Sequence, residues 1–146
     1  MTTVRQVLKE KGSEVYSVVP QSTILDALKL MVEKNLGAIL VMDGDKVKGI
    51  FSERDFARHS VLKGKGPELK VSEVMTTTVF YVSPENTMEE CSKQMTNKHI
   101  RHLPVVEAGK VVGVISIGDI VKSIISDQQT QIQGLENYIM GTGYSQ

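Results

Sequence analysis

The spacing of apolar residues along this chain changes in a regular order that predicts its secondary structure. Residues 15–19 form a short β-rich run, and residues 38–42 and 47–51 form two more around a polar hairpin-type turn. Between them, apolar residues recur at the i, i+3, i+4 and i+7 positions of a helix: Ile24, Ala27, Leu28 and Met31. A second helix is predicted to begin at Ser52. The predicted order is therefore strand, helix, strand, strand, helix.

The same order returns 64 positions later without a gap, and residues 79–82 are predicted to form the first strand of this second copy. Recurring pairs include Val18 and Val82, Gly49 and Gly113, Ser52 and Ser116, and Asp55 and Asp119. A gap-free duplication of this length indicates one supersecondary unit used twice. Each half alone would bury little apolar surface. We therefore expect an α/β (α+β) fold in which two tandem β-α-β-β-α repeats pack as one pseudo-symmetric module.

The duplication also predicts the domain boundaries. Residues 1–66 form the first repeat with an N-terminal lead-in, residues 67–126 the second repeat, and residues 127–146 a C-terminal helical tail. The Lys-Gly-Lys-Gly-Pro run at residues 63–67 is typical of a flexible linker. Residues 71–75 echo residues 4–8, so the lead-in is duplicated as well.

The predicted tail carries a seam of apolar residues. Ile125, Ile132 and Ile139 recur every seven residues with Leu135 between them, before Gly141 and Gly143 end the helical pattern. We expect this seam to pack on a second subunit, and the alternative is that the tail folds back on its own chain.

Composition excludes several functional classes. The chain of 146 residues has 40% hydrophobic and 23% charged residues, and its 17 basic residues balance its 17 acidic ones. Because no overall positive field exists, neither nucleic acid nor anionic lipid is an expected partner. The start lacks an apolar run of signal-peptide length, no segment reaches membrane-span length, and Cys91 is the single cysteine. These features predict a cytoplasmic protein in which Cys91 is a small core residue.

The pattern Gly, two apolar residues, Ser, two variable residues, Asp ends each copy's last strand, at residues 49–55 and 113–119. At a helix N-terminus, free N–H groups and the helix dipole favour an anionic ligand. A nucleotide monophosphate fits, since the Asp carboxylate can accept from both ribose hydroxyls. The alternative is that each Ser and Asp pair is a helix-capping box that needs no ligand.

Basic residues near these motifs favour the ligand interpretation. His99, Arg101 and His102 precede a predicted strand, while Arg54 and Arg58 lie one helical turn apart. A metal site at the two histidines lacks further ligands at usable spacing. A hydrolytic triad of Ser116, His102 and Asp119 is disfavoured because a helix-capping serine is a poor nucleophile.

The tandem elements, the two Gly-x-x-Ser-x-x-Asp ends and the run Ile-Arg-His-Leu-Pro-Val-Val at residues 100–106 resemble the cystathionine β-synthase (CBS) domain pair. The resemblance covers residues 4–125 and extends to small stand-alone CBS-pair proteins of bacteria and plant organelles. It implies a homodimer of CBS pairs, each with a cleft between its repeats for an adenosine-containing ligand such as AMP, ATP, NAD(H) or S-adenosylmethionine.

The resemblance also implies roles for individual residues. It places Asp119 and Asp55 on ribose, with Ser116 and Ser52 beside them. The residues implied to contact phosphate are Arg101, His102 and Arg54, and those implied to flank adenine are Val79 and Val114. The first copy departs from this pattern, since Gly37 and Ala38 stand where the second has Arg101 and His102. The Asp119 site is therefore ranked above the Asp55 site.

The predicted function is that of a non-catalytic regulatory protein for signal transduction and energy sensing. It is expected to bind AMP, ATP or NAD(H) without a metal and to change its conformation or its affinity for a regulated enzyme. Two alternatives stay open: a small nucleotide-hydrolysing enzyme that uses His102 or Asp119, and a structural dimerisation adaptor with vestigial sites.

Overall fold

The structure of the chain, a computed structural model, describes residues 1–140. Its elements are α1 (Val4–Lys11), β1 (Ser17–Val18), α2 (Ile24–Lys34), β2 (Ala38–Asp43), β3 (Lys46–Ser52), α3 (Glu53–Asp55), α4 (Met88–Lys98), β4 (His102–Glu107), β5 (Lys110–Ser116) and α5 (Ile117–Ile139). A π-helical segment, Phe56–Val61, continues α3, and a 3₁₀ turn spans Val71–Glu73. The mixed helix and strand fold with two repeats is as predicted. Gly141 and Gly143, expected to end the tail helix, lie outside the described residues.

The chain forms two compact units that do not follow the order of the repeats. The central unit is Glu14–Phe80, and the terminal unit combines Met1–Ser13 with the chain from Tyr81 onward. Each lead-in therefore packs with the other repeat. The boundaries at residues 66 and 126 describe the order of repeats in the sequence, whereas the compact units are defined by packing.

Backbone hydrogen bonds explain this exchange of lead-ins. In the terminal unit, the Val4 N–H donates to the Asn86 carbonyl at 2.9 Å and the Met88 N–H donates to the Thr2 carbonyl at 2.9 Å. These bonds tie the first lead-in to the start of α4. In the central unit, the Val71 and Ile24 N–H groups make the equivalent bonds, to Ser22 and Leu69, at the start of α2. The N–H groups at a helix start need partners, and the lead-in carbonyls supply them.

The sheet of the central unit has the order β1-β2-β3. Strand β1 pairs in parallel with β2, and β2 pairs antiparallel with β3, as expected for the predicted hairpin. Two residues form β1, fewer than the predicted 15–19. The buried cluster of this unit consists of Ile24, Ala27, Met31, Ile39, Val41, Phe51, Val71 and Val74, with Leu28 partly buried against it. The helical stripe of the first copy is thus confirmed as a core face.

In the terminal unit β4 and β5 form the matching hairpin, but the predicted strand at residues 79–82 is wrong. Only Val82 pairs, as an isolated parallel bridge to Val105. The pairing stops there because the Ser83 N–H donates to Asn86 Oδ1 at 2.8 Å, so the chain turns toward α4 at once. Cys91 is fully buried on α4, as predicted, and burial raises the pKa of its thiol to about 11.

The two second helices differ in length. In the first repeat, α3 and its π-helical segment end at Val61, whereas α5 of the second repeat runs without interruption to Ile139. Residues 127–139 of the predicted tail therefore belong to α5. Within residues 1–140, every helix is too short or too polar to cross a bilayer.

Gly49 and Gly113 are equivalent glycines, and we predict that alanine costs more at the first. A Cβ on Gly49 would lie 2.8 Å from the Thr76 carbonyl oxygen, which the Ile50 N–H holds at 2.9 Å. A Cβ on Gly113 would meet the flexible end of the Leu8 side chain at 2.7 Å. The hydrogen bond from Ile50 keeps the Thr76 backbone from moving aside, whereas the Leu8 side chain can change its conformation. Gly49→Ala should therefore lower the free energy of unfolding by about 1–3 kcal/mol, and Gly113→Ala by less.

Urea unfolding of both variants measures this difference. Gly134→Ala is the control, because no atom lies within 4 Å of its added Cβ and alanine favours a helix. A smaller loss for Gly49→Ala than for Gly113→Ala would contradict the interpretation.

Candidate functional site

The Ser116 and Asp119 motif forms the junction between β5 and α5. Asp119 Oδ2 accepts the Ser116 N–H at 2.8 Å and its hydroxyl at 3.1 Å, while the Asp119 N–H donates to Ser116 Oγ at 3.2 Å. Lys11 Nζ reaches the same Oδ2 at 2.7 Å and the Val114 carbonyl at 2.7 Å. The Asp119 side chain is 17% exposed. The junction therefore combines a helix cap with an ion pair from the lead-in.

The equivalent motif of the first repeat, Ser52 and Asp55, is more enclosed. Asp55 Oδ2 accepts the Ser52 N–H and hydroxyl, each at 3.0 Å. Its other oxygen, Oδ1, accepts the Thr76 hydroxyl at 2.8 Å and lies 3.7 Å from His59 Nε2. Asp55 is only 6% exposed. Both carboxylate oxygens of Asp55 are thus engaged within the central unit.

The capping interpretation and the ligand interpretation are compatible at Asp119. All three donors to its carboxylate use Oδ2, and within residues 1–140 no hydrogen bond reaches Oδ1. An ionised carboxylate has lone pairs on both oxygens, and those of Oδ1 can accept further hydrogen bonds. Oδ1 of Asp119 is therefore available to a ligand while the cap stays intact, and this is the physical difference from Asp55.

Arg101 and His102 lie against the Asp119 motif. His102 pairs with Ser116 across the β4–β5 ladder, and the Arg101 carbonyl accepts the Ile117 N–H at 2.9 Å. Arg101 is exposed and His102 is half-buried. The structure thus brings the four predicted residues Arg101, His102, Ser116 and Asp119 together at one helix start.

The charge of His102 differs from the sequence-based expectation. Burial lowers its pKa to about 4, because the charged imidazole would lose hydration; nearby Lys11 and Arg101 add to this effect and Asp119 opposes it. The ring is therefore neutral at pH 7. It can donate one hydrogen bond to a phosphate but contributes no positive charge, so the cationic role expected of it falls to Arg101 and Lys11.

The other predicted site residues are distributed over both units. Val114, half-buried on β5, lies at the Asp119 motif through its carbonyl contact with Lys11. The half-buried Val79 belongs to the central unit. Arg54 follows Ser52 in α3 and is half-buried, and Arg58 is exposed in the π-helical segment. At the positions of Arg101 and His102, the central unit has Gly37 and Ala38 in the same geometry.

Besides His59 on the π-helical segment, sequence reasoning missed two residues that contact the motif carboxylates, Lys11 and Thr76. Both follow the duplicated lead-in segments, Lys11 near the end of α1 and Thr76 just after the 3₁₀ turn. The duplication of the lead-ins was visible in the sequence. Their exchange between repeats was not, so neither residue was expected beside an aspartate that lies far from it in sequence.

The alternative chemistries receive no structural support within residues 1–140. Those residues contain no cluster of three His, Cys, Asp or Glu side chains that could hold a metal ion. The Ser116 hydroxyl donates to Asp119 and accepts from its N–H, so this hydroxyl serves the helix cap.

This fold, with two repeats that each end in a capped Ser and Asp motif, defines the chain as a tandem-repeat regulatory module of the CBS class. The CBS domain family profile matches residues 4–62 and again residues 71–126. The chain therefore belongs to the CBS domain family.

Two curated relatives are of similar size. The chain is 32% identical over 153 aligned residues to the mitochondrial CBS domain-containing protein CBSX3 of Arabidopsis thaliana, covering 98% of this chain and 74% of the relative. It is 34% identical over 116 residues to the CBS domain-containing protein YhcV of Bacillus subtilis, covering 80% and 83%.

Solved structures show the same fold. A putative signal-transduction protein with CBS domains from Burkholderia ambifaria has 49% identity and a TM-score of 0.84, with coverage of 87% of this chain and 96% of that one. The CBS domain pair of protein MJ0100, solved with methylthioadenosine and S-adenosylmethionine, has 21% identity, a TM-score of 0.77 and coverage of 87% and 98%. A hexameric CBS-CP12 protein from bloom-forming cyanobacteria has 28% identity, a TM-score of 0.72 and coverage of 82% and 66%.

Proposed function

We propose that this protein is a non-catalytic regulatory module that binds an adenosine nucleotide at the Asp119 motif. The observation that carries the proposal is that Oδ1 of Asp119, at the start of α5 beside Lys11 and Arg101, accepts no hydrogen bond from residues 1–140. A ribose diol donates two hydrogen bonds, and a half-buried ionised carboxylate accepts them strongly. The adenosine ligands of the MJ0100 domain pair, which shares the fold, support the choice of ligand class.

The charges around the motif favour a phosphate on that ligand. Arg101 is exposed at the end of the loop before β4, and Lys11 is held at the carboxylate by two hydrogen bonds. Gly118 in the first turn of α5 carries no side chain, so a phosphate can approach the helix N-terminus closely. A ribose at Oδ1 leaves the Lys11 contact to Oδ2 in place. AMP, ATP and NAD(H) all fit this chemistry, and none of them requires a metal.

The bound nucleotide acts through a shift in conformation or in affinity for a regulated partner enzyme. Such a shift cannot exceed the difference in the ligand's affinity for the two states, typically about 1–3 kcal/mol of coupling. The buried, protonated thiol of Cys91 is compatible with a reducing compartment. We therefore propose that the protein is cytoplasmic.

Native mass spectrometry of freshly purified protein, followed by thermal unfolding with AMP, ATP, NADH, S-adenosylmethionine and adenosine, tests the proposal. We expect a co-purifying nucleotide mass, and a ligand at 100 times its dissociation constant should stabilise the fold by about 2.7 kcal/mol. Stabilisation by none of these ligands would favour the structural adaptor instead. Turnover of ATP or NADH by pure protein would favour the hydrolytic enzyme.

We also propose that α5 pairs with the α5 helix of a second copy as a homodimer. An exposed apolar stripe follows the whole helix: Ile117, Val121, Ile125, Ile132, Leu135 and Ile139. Spacings of three, four and seven residues place these side chains on one face. Exposed apolar stripes of this length mark contact surfaces. The hexameric CBS-CP12 protein shows that an oligomer is compatible with this fold.

The charges beside the stripe favour an antiparallel pair. In a heptad register with Ile125, Ile132 and Ile139 at position a, an antiparallel partner brings the partner's Leu135 against Ile125 and the partner's Val121 against Ile139. The same register brings Lys122 toward the partner's Glu136, twice by symmetry. A parallel pair would give these two charges no opposite partner. The proposed dimer is therefore an antiparallel helix pair.

A further inference from the structure

The central unit contains a groove that none of the predicted site residues lines. Its volume is about 320 Å³. Three basic side chains, those of His59, Lys63 and Lys65, line it from the π-helical segment and the linker. Residues 76–78, all threonine, line it from the segment that follows the second lead-in. The groove thus combines cations with hydroxyl donors, which is the chemistry that recognises a phosphate.

This groove adjoins the Asp55 motif through two of its lining residues. Asp55 Oδ1 accepts the Thr76 hydroxyl at 2.8 Å and lies 3.7 Å from His59 Nε2, so two groove residues contact the buried carboxylate directly. A ligand that reaches Asp55 from this side therefore passes His59 and Thr76. Oδ1 of Asp55 accepts one hydrogen bond from Thr76 and keeps a second lone pair, so it can still accept a hydroxyl of a ligand.

The backbone around the lysines is well fixed. The Lys65 N–H donates to the Ser60 carbonyl at 2.8 Å, and the fully buried Ser60 hydroxyl donates to the Lys65 carbonyl at 2.7 Å. The linker is thus anchored on the π-helical segment at this point, although its composition is typical of a flexible connection. Anchoring lowers the entropy lost when the lysines order around a ligand.

The charge in the groove is net positive. Neither Lys63 nor Lys65 forms an ion pair within residues 1–140. Lys65 Nζ reaches only the Glu73 carbonyl, at 3.5 Å. The single acidic lining residue, Glu73, directs its carboxylate to the Lys70 N–H at 3.3 Å. Two unpaired ammonium groups on one rim attract an anion.

We propose that this groove is the phosphate subsite of a nucleotide bound at Asp55, with Lys63 and Lys65 as the residues that make the first repeat prefer phosphorylated ligands. This inference rests on the proposed function. It supplies the first repeat with the cations that it lacks at Gly37 and Ala38. Thr77 and Thr78 add hydroxyl donors, since Thr76 already donates to Asp55.

The second repeat has no such groove residues, so the two sites differ in specificity. The positions equivalent to His59, Lys63 and Lys65 are Ser123, Asp127 and Gln129. They lie on α5, where Asp127 accepts the Thr2 hydroxyl at 2.9 Å. Phosphate preference at Asp119 comes from Arg101 and Lys11, whereas at Asp55 it comes from the linker.

The test measures the affinity ratio of ADP to adenosine in an Asp119→Ala background, so that only the Asp55 site binds. The variant Lys63→Gln/Lys65→Gln removes two charges from the groove. The matched control Lys46→Gln/Lys48→Gln removes two lysines of the same spacing from the exposed hairpin of the same unit. Since exposed charge pairs contribute up to about 1 kcal/mol each, the ratio should fall about tenfold in the groove variant only.

Calorimetric titrations give these ratios. An unchanged ratio in the groove variant, or an equal fall in the control, overturns the inference and leaves the proposed function standing. The inference is also overturned, and the proposed function left standing, if the intact protein binds ADP but the Asp119→Ala protein binds neither ADP nor adenosine. If the intact protein binds no adenosine compound, the proposed function fails. In that case, titration with pyrophosphate alone tests the groove as an anion site. Changes in the amide NMR chemical shifts of Thr77 and Thr78 would support the anion site, and unchanged shifts would overturn it.

Discussion

Replacing Asp119 by alanine is expected to abolish the stabilisation of the terminal unit by an adenosine nucleotide. The variant loses the carboxylate that would accept both ribose hydroxyls, and hydrogen bonds to a charged group contribute about 1.5–3 kcal/mol each. Affinity should therefore fall by at least about 100-fold. Thermal unfolding with and without AMP, ATP or NADH measures the loss.

The matched control for this variant is Glu90→Ala. Glu90 occupies the same capping-box position at α4 in the same unit and is exposed. Each substitution removes a capping-box interaction worth about 1 kcal/mol of stability without ligand, and Asp119→Ala also removes the ion pair with Lys11. Both variants keep the Asp55 site, so only Asp119→Ala should lose the part of the nucleotide response that comes from the terminal unit. Full nucleotide stabilisation in Asp119→Ala would overturn the assignment of the site.

The second large effect is expected at the apolar stripe of α5. Ile132 and Leu135 are 55% and 62% exposed in the single chain, and an antiparallel dimer would bury both. Burying a large aliphatic side chain contributes about 1.5–3 kcal/mol, and four such side chains are lost per dimer in Ile132→Asp/Leu135→Asp. This variant should be monomeric at micromolar concentration. Sedimentation equilibrium measures the change in mass.

The control and the register test use other positions of the same helix. Ser126→Asp/Gln133→Asp places the same charges on the opposite, exposed face and should leave the dimer intact. Lys122→Glu should weaken an antiparallel pair by repulsion, and adding Glu136→Lys should restore it. A monomeric protein before any substitution would contradict the proposed homodimer. Failure of Glu136→Lys to restore the dimer would contradict the antiparallel register.

Much of the fold was predictable because it follows local rules. The periodic stripe of α2, the hairpins and the capped helix starts at Ser52 and Ser116 depend on residues at most a few positions apart. The predicted strand at residues 79–82 failed for a tertiary reason. Its β-rich composition is real, but a strand also needs a neighbouring strand, and of these residues only Val82 forms a β-bridge, to Val105 of β4.

The candidate site was predictable in its types of residue but not in its contacts. Arg101, His102, Ser116 and Asp119 meet as expected, because the β4–β5 register aligns His102 with Ser116. The charge of His102 could not be predicted, since its lowered pKa depends on burial. Lys11 was also beyond sequence reasoning, because it meets Asp119 across 108 positions.

The sequence by itself determined that a strand and helix unit occurs twice, that each copy ends in a capped Ser and Asp motif, and that a helical tail follows. Periodicity and capping depend on residues close together in the chain, so the amino-acid sequence alone is enough to predict them. Only the tertiary structure decided which lead-in packs with which repeat, which carboxylate oxygen stays open, and where the linker lysines lie. Those outcomes depend on burial and on hydrogen bonds between residues far apart in the chain.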